Sequence, residues 1–173
     1  MHAEALITVA ICTYNRHENV RELLPLLLSG QTLSEEVYRI IVVDNSDDRE
    51  ARESFSREFS ELSTVSIIES SPPGLSRARN AALDACATRY IVYLDDDATP
   101  RAEWLSAILR AFTTHDPAVV AGPIYPIWPS AQPEWLPHKY VACLTILDHG
   151  QNDRWLSGSE LAFGANMVLA PAT

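Results

Sequence analysis

A chain of 173 residues can bury roughly 70% of its unfolded surface in one core, and 47% hydrophobic with 21% charged side chains is the balance of a soluble globular protein. The net charge of −10 excludes a duplex nucleic-acid binder, which needs a basic face. It admits a phosphate-bearing ligand only where a cation or local arginines offset a repulsion of about 4 kcal/mol per charge pair at 4 Å.

In chain order, LITVAIC (Leu6 to Cys12) reads as a first strand. Val20, Leu23, Leu24, Leu27 and Leu28 recur at helical spacing and predict a helix from about Glu18 to Ser29, with Pro25 inside it and Gly30 closing it. Arg39 to Asp44 is a second strand, Asp48 to Ser60 a charged helix with a solvated face, and Thr64 to Glu69 a third strand. After the break at SPPGLS, Ser76 to Cys86 reads as a helix capped by Ser76. Tyr90 to Leu94 is a fourth strand. A helix follows from Pro100 to about Thr114, with Thr99 as its cap and Trp104, Leu105, Ile108 and Leu109 on one face. Val119 to Ile124 is a fifth strand. The alternation predicts an α/β fold, a mostly parallel central sheet between two helical layers.

From 125 to 160 the composition changes. Prolines alternate with Trp128, Trp135 and Tyr140, which opposes helix or central strand and predicts a long surface excursion covering the site. The run ELAFGANMVLA then resumes a strand-like pattern. Cys12, Cys86 and Cys143 are too few and too scattered for a disulfide framework or zinc cluster, which points to a reducing compartment. No apolar run approaches about 18 residues, and the N-terminus lacks a basic leader. The expected location is therefore the cytoplasm, including the inner face of a membrane.

The chemistry is concentrated where strands end. YIVYLDDD is an unbroken apolar run stopping in Asp95, Asp96 and Asp97, and ligands of open α/β sheets bind beyond the carboxyl ends of such strands. Three carboxylates there call for a hard divalent cation shared with substrate phosphates. The first strand ends in Thr13, Tyr14, Asn15 and Arg16. The second ends in Asp44, an acceptor for a base imide or ribose hydroxyl. Gly74 permits close approach of backbone, and Arg77 and Arg79 suit phosphate oxygens, with Asn80 beside them. Phosphoryl chemistry of the receiver or dehalogenase kind needs an acid after the first strand, where this chain has Cys12-Thr13. A nucleotidyltransferase would want a glycine-rich basic loop there. His17, His115, His138 and His149 read as surface or loop residues, and the tryptophans more as packing than as sugar-stacking platforms.

In this order the motifs resemble the family 2 glycosyltransferases with the GT-A fold. The resemblance rests on ICTYNR (Ile11 to Arg16), VVDNSDD, GLSRARNAAL (Gly74 to Leu83), RYIVYLDDDATP, Trp104-Leu105 and Gly164-Ala165-Asn166-Met167, and spans nearly all of the chain. It implies a nucleotide-sugar donor, UDP-linked as the first expectation, and sugar transfer to an acceptor hydroxyl of a glycan, lipid-linked glycan or protein. It implies inversion, and a homodimer is compatible with it. Thr13 to Arg16 and Asp44 would hold base and ribose, and Gly74, Arg77, Arg79 and Asn80 would lie near ribose and diphosphate. Asp95 and Asp96 would approach the ribose and metal, with Asp97 and Asp95 ligating Mn²⁺ or Mg²⁺. Relatives place a carboxylate base downstream of the G-x-N-M patch, so the catalytic base is not identifiable here, Glu160 and Asp153 being weak candidates. The expectation is one domain over 1–173, shortened at its C-terminus, with nucleotide binding without turnover as the alternative.

Overall fold

The computed structural model describes residues 5–128, 130–131, 133, 135–136, 144–150 and 152–170. Strands β1 (Ile7–Thr13), β2 (Tyr38–Asp44), β3 (Val65–Glu69), β4 (Tyr90–Asp95), β5 (Val119–Ala121) and β6 (Asn166–Leu169) form one sheet in the order β3-β2-β1-β4-β6-β5. Helices α1 (His17–Leu28), α2 (Arg49–Glu58), α3 (Leu75–Asp84) and α4 (Trp104–His115) make the crossovers. The pairs β1–β2, β1–β4 and β2–β3 are parallel, while β6 runs antiparallel to both β4 and β5.

Alternation along the strands sends side chains to two separate cores. Val9, Ile11, Ile40, Val42 and Val92 meet Val20, Leu24 and Leu27 of α1, Phe55 of α2 and Leu105 and Phe112 of α4. On the opposite face Ala10, Ile41, Val43 and Ile91 meet Ala78 and Ala82 of α3. Small residues on that face bring α3 close, which sets its N-terminal turn against the sheet edge. The predicted α/β/α layering is therefore observed.

Three local expectations are corrected. α4 starts at Trp104, not Pro100, with Glu103 at the cap position and no side-chain cap bond. The Arg101 and Ala102 carbonyls are taken by the Gln31 amide (3.0 Å) and the Thr32 N–H (2.9 Å), so that turn binds the α1–β2 loop instead of starting a helix. α3 starts at Leu75 with Gly74 at its cap, which leaves Ser76 inside the helix and not capping it. The fifth strand stops at Ala121, three residues short; Gly122 still donates its N–H to the Asn166 carbonyl (3.2 Å), and beyond it Ile124 turns to an isolated bridge with Leu147 instead of β6. Pro25 is accommodated within α1, whose Ser29 N–H still reaches the Pro25 carbonyl at 3.0 Å.

Candidate functional site

Strand register assembles the site. Thr13 lies opposite Asp44, and Cys12 opposite Asp95, so the carboxyl ends of β1, β2 and β4 share one edge of the sheet. Asn45, buried just past β2, ties the loops at that edge together. Its N–H donates to the Thr13 carbonyl (2.9 Å), its amide donates to the Ser70 carbonyl, and its Oδ1 accepts the Gly74 N–H at 2.5 Å. Asn15 adopts φ +55, a conformation Asn tolerates, and from it the backbone N–H reaches Ser46 Oγ (2.8 Å). The sequence motifs specify neither asparagine clamp, because both act through loop backbone.

The three aspartates have different environments. Asp96 is fully buried, accepts the Thr13 hydroxyl (2.7 Å), and lies 2.7 Å from Arg16 Nη2 in an ion pair not aligned as a hydrogen bond. Arg16 Nη1 donates to Asp97 Oδ2 (3.2 Å), so one guanidinium spans both carboxylates. Arg79 Nη2 stands 3.6 Å from Asp95 Oδ1. None of the three caps a helix. Burial raises the Asp95 carboxyl pKa despite Arg79, and burial likewise raises that of Asp96 against the pull of Thr13 and Arg16. A carboxyl whose pKa is raised by folding holds its proton more tightly in the folded state. Its contribution to stability then falls as pH climbs from the ordinary carboxylate value, about 3.9, through the raised one. Asp96→Asn is expected to be more stable than the parent at pH 7 and to lose that part of the pH slope, as read by urea unfolding at pH 4 and pH 7.

The donor set suits a shared divalent ion. Asp97 and Asp95 keep side chains 61% and 44% exposed, whereas Asp96 is committed to Thr13 and Arg16. No group of three or more His, Cys, Asp or Glu among the described residues could cage a metal alone. A Mg²⁺-type ion held by one or two carboxylates would complete its shell with phosphates and water.

Asp44, read as a base or ribose acceptor, is fully buried. Its Oδ1 accepts the Ser46 N–H (3.0 Å), and its Oδ2 lies 2.7 Å from His17 Nε2. His17 stacks on Phe55 at 4.5 Å and lines a cavity of about 360 Å³ with Asn15, Asp47, Asp48 and Ala51. The Tyr14 hydroxyl donates to Asp47 beside it. The sequence marks His17 only as a residue near a helix start, since nothing local identifies its partner 27 positions away.

Around α3, Arg77 and Asn80 are exposed, and their side chains make no hydrogen bond or ion pair among the described residues. Arg79 is held over the Tyr93 ring (5.8 Å) and against Gly164, where a Cβ would meet the guanidinium at 2.7–2.8 Å. Asn166 accepts the Trp104 indole N–H (3.0 Å) and donates to the Pro123 carbonyl (3.1 Å), so the Gly164–Met167 patch is a packing element behind the site. Within the excursion, Trp135 is 78% exposed and Leu147 bridges Ile124 just before it, while Pro129, His138, Tyr140 and Cys143 lie outside the described residues. Glu160 is gripped by Arg154 and by the Ser157 N–H (3.0 Å), which pull its carboxyl down to about 2, unsuited to a base at neutral pH. Asp153 is 3.5 Å from His115.

A mostly parallel sheet with acids and guanidiniums converging beyond β1, β2 and β4 defines a GT-A fold. The family model described as Glycosyl transferase family 2 matches residues 8–167, and the chain belongs to that family. Its curated relatives include the succinoglycan biosynthesis protein ExoM of Rhizobium meliloti (strain 1021), 29% identical over 131 residues, covering 75% of this chain and 42% of that protein. Another is the glucosyl-dolichyl phosphate glucuronosyltransferase of Haloferax volcanii, 26% identical over 172 residues, covering 94% of this chain and 54% of that protein. The chain thus spans about half the length of these relatives. Among solved structures, S. aureus TarS 1-349 in complex with UDP-GlcNAc superposes with a TM-score of 0.59 at 21% identity, over 75% of this chain and 37% of that one. The mannosyltransferase PcManGT from Pyrobaculum calidifontis, in complex with GDP-Man and Mn²⁺, gives 0.58 at 22% identity over 66% and 34%.

Proposed function

We propose that this chain binds a nucleotide-sugar, UDP-linked as the first expectation, and takes part in inverting transfer of the sugar to an acceptor hydroxyl in glycan or polysaccharide synthesis. The observation that carries the reading is the convergence of Thr13 to Arg16, the Asp44–His17 pair, Arg79 and Asp95 to Asp97 on one sheet edge. The UDP-GlcNAc complex of TarS and the GDP-Man complex of PcManGT support the donor class. Asp97 and Asp95 would hold Mn²⁺ or Mg²⁺. Such an ion, when bound, supplies a Lewis acid that takes up charge on the departing nucleoside diphosphate. Arg79 adds a guanidinium for a diphosphate oxygen, and Thr13 with Arg16 fixes Asp96 so that the turn after β4 stays rigid.

Titration calorimetry with UDP, GDP and dTDP, with and without Mn²⁺, tests this. Tight binding of one nucleotide only with the ion is expected; equal binding in its absence would refute the metal role. A second reading, binding without turnover, is favoured by the engagement of Glu160, which Arg154 and the Ser157 N–H hold as an ionised carboxylate poorly suited to act as base. Measured sugar transfer or donor hydrolysis by the chain would eliminate it.

A further inference from the structure

Resting on the donor reading above, we infer that His17 reads the nucleobase, and that Asp44 is a positioning residue that sets which face of the imidazole is offered. Asp44 has no exposed side-chain surface, and both of its oxygens are engaged, Oδ1 by the Ser46 N–H at 3.0 Å and Oδ2 by His17 Nε2 at 2.7 Å. It does not line the neighbouring cavity of about 360 Å³, whereas His17 does. Of the two members of the pair, only the imidazole is within reach of a base in that cavity. The ring is held in place by stacking on Phe55 at an interplanar angle of 11° and is 13% exposed.

A carboxylate only accepts, so the hydrogen of the His17–Asp44 bond sits on Nε2, and in the tautomer that carries its one hydrogen there Nδ1 is an acceptor. An acceptor there complements an imide N–H, as in uracil or the N1 edge of guanine, and opposes cytosine, whose N3 is itself an acceptor. The pair therefore selects a base with an imide donor by geometry and tautomer. Bases rejected in this way leave a polar atom unpaired on desolvation, which is the strong form of discrimination.

Asp44→Asn tests the tautomer. Asn Oδ1 keeps the Ser46 N–H, its Nδ2 then donates to His17 Nε2, and Nδ1 becomes the donor. Calorimetry in Mn²⁺ would compare UDP, CDP and inorganic pyrophosphate on the parent, Asp44→Asn, His17→Ala and His17→Gln. We expect the parent to prefer UDP over CDP by about tenfold or more and Asp44→Asn to narrow or reverse that ratio. His17→Ala should bring the ratio close to one with pyrophosphate binding unchanged, and His17→Gln should recover part of it. If His17→Ala keeps or sharpens the preference for UDP, Asp44 itself reads the base and the inference is wrong, while the donor reading stands. Equal losses for UDP and pyrophosphate would also overturn it, showing a structural role only. A parent chain that binds no nucleoside diphosphate would remove both.

Discussion

Asp97→Ala is expected to abolish the manganese-dependent part of nucleoside-diphosphate binding and to leave the fold intact. The side chain is 61% exposed, and its one hydrogen bond among the described residues comes from Arg16, which keeps its ion pair with Asp96. An exposed ion pair of this kind contributes about 0–1 kcal/mol to stability. Its worth to a divalent ion is larger. One carboxylate charge at about 4 Å from a unit cationic charge contributes about 4 kcal/mol at an effective dielectric near 20, near a thousandfold in Kd. Solvent exposure brings the expected loss to about a hundredfold. Calorimetry of UDP binding with and without Mn²⁺ reads the effect, and an unchanged manganese dependence would show that Asp97 is not a ligand.

Arg16 enters the same balance. It spans Asp96 and Asp97 at 2.7 and 3.2 Å, relieving a repulsion that the amino-acid pattern alone presents as three adjacent charges. The tripeptide announced a cation site, but not that a guanidinium already sits on two of its members, because contacts between positions 16 and 97 carry no local signal. The same limit explains His17. The reverse holds for β1, β2 and β4, whose continuous apolar runs are dictated by burial on both faces and could be read directly. Cap residues misled where tertiary bonds took over the turn, as Gln31 and Thr32 do before α4. The apolar run ending in Leu169 was legible as a strand, whereas its antiparallel seat between β4 and β5 depends on pairing that periodicity does not encode.

Gly164→Val is expected to weaken nucleoside-diphosphate binding by about ten- to a hundredfold with little change in unfolding midpoint. Gly164 has no positive φ, so backbone freedom is not what the position requires. It requires room. A Cβ would lie 2.7 Å from Arg79 Nη2 and 2.8 Å from Cζ and Nη1, closer than nonbonded carbon and nitrogen approach. The obstacle is the far end of a flexible side chain, so the clash is relieved by swinging the guanidinium away from Asp95 and the Tyr93 ring instead of by moving the sheet. A β-branched side chain stiff at χ1 blocks its return. The loss should equal that of the charge-assisted bond proposed between Arg79 and the diphosphate, about 1.5–3 kcal/mol. Because both substitutions act through one guanidinium, Gly164→Val combined with Arg79→Ala should bind no worse than Arg79→Ala alone. Additive losses in that cycle would mean Gly164 shapes the site by a route other than Arg79.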